Sequence, residues 1–388
     1  MLKIMSVFGT RPEAIKLAPV IKELQQYPST IKSIVAVTAQ HRQMLDSVLN
    51  VFAIEPDHDL NIMEKNQGLS DITCKVLKSI EAIYEQEQPD LVLVQGDTTT
   101  VFAASLAAYY QRIPVGHVEA GLRSHNKHHP FPEETNRCLT SVMAHLHFTP
   151  THDAKTNLLN EGVHEDSIYV TGNTVIDALL DVAARDFKFD NDLLNNIKGR
   201  MVLITAHRRE SFGKPFSDIC DAILTLAHKY PDVTFVYPVH LNPNVRKVVY
   251  SMLGNVANII LIEPLEYVSF VHLMKRSYII LTDSGGIQEE APSINKPVLI
   301  LREVTERQEA VRAGSAKLVG THPESIITET TRLLEDTKEY TRMTHIPNPF
   351  GDGHAAQRIV TLIKHKLIQN KDTATKTTSN YFAEPASR

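Results

Sequence analysis

A chain of 388 residues exceeds one comfortable hydrophobic core and predicts two domains of roughly 150–200 residues each. Its net charge of −5, with only local basic clusters such as Arg208-Arg209, gives no reason to expect nucleic acid as a partner. Three scattered cysteines (Cys74, Cys138 and Cys220) without a C-x-x-C pair predict reduced core thiols, and neither a signal-peptide layout nor an apolar run of membrane-spanning length is found, so the expectation is a cytoplasmic protein with no membrane partner.

Short apolar runs alternate with amphipathic segments along the chain. Predicted strands Leu2–Phe8, Ser33–Thr38, Leu91–Val94, Val115–Val118, His147–Thr149 and Ile168–Thr171 form a first series. Met201–Thr205, Thr234–Val239, Ile259–Ile262, Tyr278–Thr282 and Val298–Leu301 form a second. Helical periodicity fills most gaps, for example at Pro12–Gln26, Ile72–Gln86, Val101–Tyr110 and Phe216–His228. This alternation predicts an α/β fold of two doubly wound, Rossmann-like domains whose parallel sheets are covered on both faces. The polar stretch Asp186–Gly199 reads as a linker or loop, which places the boundary between about residues 170 and 195. Ligands in such sheets bind at the carboxyl ends of the strands, so a cleft between the domains is the expected site. The stretch from Gln369 to Arg388, rich in Thr, Ser, Lys and Asn, predicts a disordered tail.

Charged residues collect where the predicted strands end. After the first strand comes Gly9-Thr10-Arg11-Pro12-Glu13-Ala14-Ile15-Lys16, with Pro12 suited to a first helical turn. Arg11 and Lys16 stand at the end of the helix dipole that disfavours cations; a bound anion would explain them, and so would stems that merely cover apolar surface. Gln95-Gly96-Asp97-Thr98-Thr99-Thr100 places Asp97 at a strand end, as a functional carboxylate or an N-cap. His117-Val118-Glu119-Ala120-Gly121-Leu122-Arg123 does the same for Glu119, and Pro132-Glu133-Glu134-Thr135-Asn136-Arg137 adds two acids at a helix start. Each is explicable by helix-end electrostatics. Together they gather carboxylates on one loop face, as acid/base chemistry requires.

In the second half, Ala206-His207-Arg208-Arg209-Glu210-Ser211-Phe212-Gly213 puts a histidine and two arginines after a buried strand, suited to a leaving diphosphate or to a surface ion-pair loop. His240, in Pro238-Val239-His240-Leu241-Asn242-Pro243, follows the next strand in the same way. Most telling is Tyr278 to Pro292, where a buried strand feeds Thr282-Asp283-Ser284-Gly285-Gly286 and then a helix from Ile287. Thr282, Asp283 and Ser284 offer N-cap oxygens, the glycines admit close approach, and Glu290 falls about one turn inside the helix, where it can accept from ribose hydroxyls. A nucleotide-diphosphate site and an ordinary βα turn both fit this segment alone. No G-x-G-x-x-G follows the first strand, and neither G-x-x-x-x-G-K-[ST] nor H-E-x-x-H occurs. The pair His128-His129 has no second ligand cluster, so no metal is expected.

The set G-T-R-P-E-x-I-K, Q-G-D-T-T-T, H-V-E-A-G-L-R, P-E-E-x-N-R, H-R-R-E-S-F-G, P-V-H-x-N-P and T-D-S-G-G-x-Q-E-E resembles the non-hydrolysing UDP-N-acetylglucosamine 2-epimerases, in order from Gly9 to about Gly353. The resemblance implies a glycosyltransferase-B type fold, with residues 1–172 and a returning helix at 354–370 in the N-terminal domain, 173–353 in a UDP-binding domain, the active site in the interdomain cleft, and a tail from 371. It implies a homodimer that interconverts UDP-GlcNAc and UDP-ManNAc for cell-surface polysaccharide without a cofactor, by eliminating UDP to a 2-acetamidoglucal and adding it back. Asp97, Glu119 and Glu133 match the family's catalytic carboxylates and His207 its active-site histidine. Arg11, Lys16, Ser284, Gly285 and Gly286 match the phosphate positions and Glu290 the ribose position. Leu265 (through its backbone), Phe270 and Arg307 match further nucleotide contacts. Gln40, Gln43, Glu134, Arg208 and His240 fit the site of a second, activating UDP-GlcNAc found in bacterial members. A hydrolysing epimerase or a glycosyltransferase of the same fold is the alternative; a nucleotide-sugar sensor would have no use for the three carboxylates.

Overall fold

The computed structural model describes residues 1–38, 42–64 and 67–367. Gln40 and the predicted tail lie outside the described residues, as does the side chain of Gln43. The chain divides into two compact units, one of Met1–Ala178 with the chain from Gly353 on, the other of Leu179–Asp352.

The first unit is built on seven parallel strands: β1 (Leu2–Phe8), β2 (Ile31–Val37), β3 (His58–Asp59), β4 (Leu91–Gln95), β5 (Val115–Val118), β6 (Leu146–Thr149) and β7 (Ile168–Val170). They are ordered β3-β2-β1-β4-β5-β6-β7. All five residues of β4, Leu-Val-Leu-Val-Gln, are buried. Because the strand is covered on both faces, Leu91 to Val94 read as an apolar run and not as an alternation, and the polar Gln95 comes only at its end. The helix Arg11–Gln25 shows the complementary pattern, with Ala14, Leu17, Ala18, Ile21 and Leu24 buried at helical spacing. Each fully buried leucine or isoleucine among them contributes roughly 1.5–3 kcal/mol, the alanines less. Residues 355–367 form the last described helix. Its first turn is capped by Asp177, whose carboxylate accepts from the N–H groups of Ala355 (3.2 Å) and Ala356 (2.8 Å), while Arg358 donates to the Thr171 carbonyl at 3.1 Å.

The second unit has six parallel strands: β8 (Met201–Thr205), β9 (Thr234–Pro238), β10 (Ile259–Ile262), β11 (Ile279–Thr282), β12 (Val298–Ile300) and β13 (Ala316–Leu318). The order is β10-β9-β8-β11-β12-β13. In the first sheet the direction of winding reverses between β1 and β4; in the second it reverses between β8 and β11. Loops leave such a reversal in opposite directions and open a crevice at the strands' carboxyl ends. The segments that occupy these positions are Gly9–Arg11, Gly96–Thr98, Ala206–Arg208 and Asp283–Gly286.

Four details depart from expectation. β3 and β13 are edge strands of two and three residues, too short to carry a period that sequence reading can detect. The stretch read as a linker holds a one-turn helix, Asp192–Asn195, and buries Leu194 and Ile197, so it packs as part of the second unit. Cys220 is buried, but Cys138 is half-buried and Cys74 exposed on its helix, so only one of the three is a core thiol. Asp283 does not cap the helix that follows it, for a reason given below. No described helix is long and apolar enough to cross a membrane.

Candidate active site

In the first unit the residue that follows β5 is Glu119, which takes left-handed backbone at φ +64°. A side chain with a Cβ seldom occupies that region without a compensating reason. The reason is visible in its partners. Lys16 donates to Oε1 at 2.5 Å, Asn173 to the same oxygen at 3.1 Å, and Gln95 to Oε2. With both oxygens bonded, the carboxylate is held to one orientation beside a cation. The Gly96 backbone is adjacent, since a Cβ there would lie 3.8 Å from Glu119 Oε2. Asp97, the next residue, is bonded by the Arg137 guanidinium. Arg137 also reaches Glu134 at 3.2 Å, and Glu134 accepts from the N–H groups of Ser124 (3.0 Å) and His125 (2.9 Å). Glu133 is half-buried in the first turn of helix Glu133–Met143; among the described residues no hydrogen bond or ion pair joins it to this group.

Beneath these groups lie two buried titratable residues. His117 donates Nε2–H to the Gly96 carbonyl at 2.7 Å, which fixes its tautomer, and burial pushes its pKa down to about 4. Glu13 accepts from the N–H groups of Gly9 (3.2 Å) and Thr10 (2.7 Å) and from the Thr98 hydroxyl (2.8 Å). Burial outweighs those hydrogen bonds and pushes the carboxyl up to about 7. Gly121, two residues after Glu119, has φ +85°, and a Cβ there would lie 2.2 Å from the Ala154 carbonyl oxygen. The glycine of A-G-L-R is therefore a packing requirement.

In the second unit the fully buried Asp283 turns away from the helix it precedes. Its Oδ2 accepts from the backbone N–H groups of His207 (2.6 Å) and Arg208 (2.7 Å), and Arg208 Nε donates to its carbonyl at 3.2 Å. The expected N-cap is lost because these bonds join the β8 and β11 loops instead. Ser284 occupies the N-cap position of Gly285–Glu290 without a side-chain capping bond. The His207 ring stacks on His240, with centroids 5.0 Å apart and planes 8° from parallel. Burial lowers the His207 pKa; the Asp283 carboxylate, 3.6 Å from its Nδ1, opposes that, while His240 and Arg208 add to it. Arg307 covers the glycine turn: a Cβ on Gly285 would lie 3.3 Å from its Cζ, and its Nε donates to Glu289 at 2.7 Å. Glu290 is half-buried at the end of the same helix, and Gly286 is exposed. Leu265 and Phe270, both half-buried, follow β10, and Arg11 is half-buried at the start of its helix.

One loop face thus carries carboxylates with a paired lysine, the other an imidazole, arginines and a glycine turn. A family model described as UDP-N-acetylglucosamine 2-epimerase matches residues 22–364. The UDP-N-acetylglucosamine 2-epimerase of Escherichia coli (strain K12) is 53% identical over 375 residues, covering 95% of this chain and 100% of that one. The chain belongs to the UDP-N-acetylglucosamine 2-epimerase family. The Neisseria meningitidis protein of that name is 54% identical over 379 residues, covering 94% of this chain and all of that one. Among solved structures, UDP-GlcNAc 2-epimerase from Neisseria meningitidis bound to UDP-GlcNAc is similar at TM-score 0.83 and 53% identity, covering 94% of this chain and 100% of that chain. The Methanocaldococcus jannaschii UDP-GlcNAc 2-epimerase in complex with UDP-GlcNAc and UDP is similar at TM-score 0.76 and 36% identity, covering 94% and 100%. A glycotransferase of kitacinnamycin, 12% identical at TM-score 0.61, shares the fold alone.

For a UDP-N-acetylglucosamine 2-epimerase relative, the residues that sequence reasoning passed over are supports. Glu13, Gln95, His117 and Arg137 all stand inside the motifs, where their residue types alone point to no task. A glutamine ending the buried strand Leu-Val-Leu-Val was the available signal for Gln95. Asn173 and the role of Asp283 carry no such signal, because their partners lie 54 and 76 residues away.

Proposed function

We propose that this protein interconverts UDP-GlcNAc and UDP-ManNAc by the non-hydrolysing route, with elimination of UDP and its re-addition. The observation that carries the reading is the Glu119 carboxylate, buried on left-handed backbone against Lys16 and adjoining the loop of Asp97, in a chain of this family. The C2 proton of the sugar is not next to a carbonyl, so its removal needs a prior or concurrent weakening of the C1–O bond. Departure of UDP builds oxocarbenium character and acidifies that proton. Asp97, Glu119 and Glu133 would then divide proton removal and return at C2 between the two faces. His207 would assist departure of the diphosphate.

Arg11, Lys16, Ser284, Gly285 and Gly286 would hold the phosphates, Glu290 the ribose, and Leu265, Phe270 and Arg307 the rest of the nucleotide. Lys16, paired with Glu119 here, would lend its charge to both acid and phosphate. Gln40, Gln43, Glu134, Arg208 and His240 would bind a second UDP-GlcNAc as activator. The stacking of His240 on His207 supports a physical route for that effect, since a ligand against one ring bears directly on the other. We place the enzyme in the cytoplasm as a homodimer supplying ManNAc for surface polysaccharide.

The test is proton NMR of the protein with UDP-GlcNAc in D₂O. UDP-ManNAc appearing, with the C2 proton signal lost from both epimers, supports solvent-exchanging elimination. Free ManNAc with UDP indicates the hydrolysing reaction, and an unchanged spectrum refutes the assignment.

A further inference from the structure

The loop Gly96–Asp97–Thr98 is held at four consecutive points. His117 bonds the Gly96 carbonyl at 2.7 Å, Asn136 the Asp97 carbonyl at 3.0 Å, Arg137 the Asp97 carboxylate, and Glu13 accepts from the Thr98 hydroxyl at 2.8 Å. Glu13 differs from the other three in its second attachment. Its other oxygen accepts from Gly9 and Thr10, in the turn after β1. One side chain, only 2% exposed, therefore ties together both loops that leave the reversal point of the first sheet.

We propose that Glu13 is the positioning residue for Asp97, setting the loop that carries it against the β1 turn. The inference rests on the reading of Asp97 as a catalytic carboxylate. Glu13 reaches no reacting atom; its use is geometric. A carboxyl raised to about 7 needs no charge for the task, and a glutamine can keep all the bonds, its oxygen accepting from the two N–H groups and its amide donating to the Thr98 hydroxyl oxygen.

The experiment measures kcat and KM for Glu13→Gln, Glu13→Ala, Thr98→Val, Thr98→Ser, the Glu13→Ala/Thr98→Val double variant and Asp97→Asn, with thermal unfolding as a fold check. Glu13→Ala should lose about 100-fold in kcat, the scale of a small misplacement of a reacting group, with KM little changed. Glu13→Gln and Thr98→Ser should stay within about twofold of wild type, and the double variant should fall no further than Glu13→Ala alone. Wild-type kcat in Glu13→Ala overturns the proposal, as do a Glu13→Gln loss equal to that of Glu13→Ala and penalties that add. Should Thr98→Val fail to fold, the Ala and Gln variants at position 13 carry the test by themselves. Full activity in Asp97→Asn overturns the Asp97 assignment itself, whereas a dead Asp97→Asn beside an active Glu13→Ala overturns only the positioning role.

Discussion

Removing the Asp283 carboxylate tests how the second unit's site is assembled. Both N–H groups it serves, those of His207 and Arg208, point at one oxygen, at 2.6 and 2.7 Å, in a fully buried position. Asp283→Ala strands both donors. At roughly 1–3 kcal/mol for each unsatisfied buried group, the loss is about 2–6 kcal/mol. The middle of that range corresponds to a fall of roughly 8–16 °C in the midpoint of a domain this size. Asp283→Asn keeps an oxygen where Oδ2 stands, so both bonds survive in neutral form, at roughly half their charge-assisted strength, and about 1–2 kcal/mol is lost. Calorimetry of the full chain distinguishes the two. The same Asn variant removes the pull that opposes burial at His207, so the His207 pKa falls further, which an NMR titration of the ring reads directly. An Asp283→Ala protein within about 1 kcal/mol of wild type, or equal losses in both variants, would refute the reasoning.

Arg137→Ala leaves Asp97 and Glu134 without their shared cation; turnover should fall by about 10–100-fold with UDP affinity retained by calorimetry, and an unchanged kcat would count against the arrangement. Gly121→Ala meets the Ala154 carbonyl at 2.2 Å on left-handed backbone, and should cost more than about 2 kcal/mol in urea unfolding or yield no soluble protein. Stability against pH has a definite sign. His117 and His147, pushed down to about 4 and about 3 by burial, stay neutral in the fold while the unfolded chain protonates near 6.5, so each removes about 1.4 kcal/mol per pH unit on acidification below that point. Glu13, raised to about 7, works the other way between about 7 and 4.5, adding stability as pH falls. Glu13→Gln should therefore lose about 1.4 kcal/mol more per pH unit than wild type across that window, and parallel curves would contradict it.

The architecture was legible because both sheets are parallel and buried on two faces, so β4 and β8 each begin with four consecutive apolar residues. What escaped was short or non-local. β3 and β13 present two and three residues, and Asn173 reaches Glu119 across 54 positions. The candidate residues were readable as acids and bases at strand ends, a pattern that follows from where loops leave the sheet. Their supports were not readable in the same way. Asp283 looked like a cap because an Asp before a helix usually is one, and only the fold places the β8 loop where its N–H groups outbid the helix.

The left-handed backbone at Glu119 and its side chain are kept together by energy and not by chemistry alone. Glycine at 119 would relieve roughly 1 kcal/mol of conformational strain there. It would also take a partner from the buried amides of Gln95 and Asn173 and the counter-charge from Lys16, at roughly 1–3 kcal/mol for each group left unsatisfied. A laboratory evolution scheme that scored heat resistance alone, blind to turnover, should therefore keep the glutamate and its strained backbone as one inherited unit.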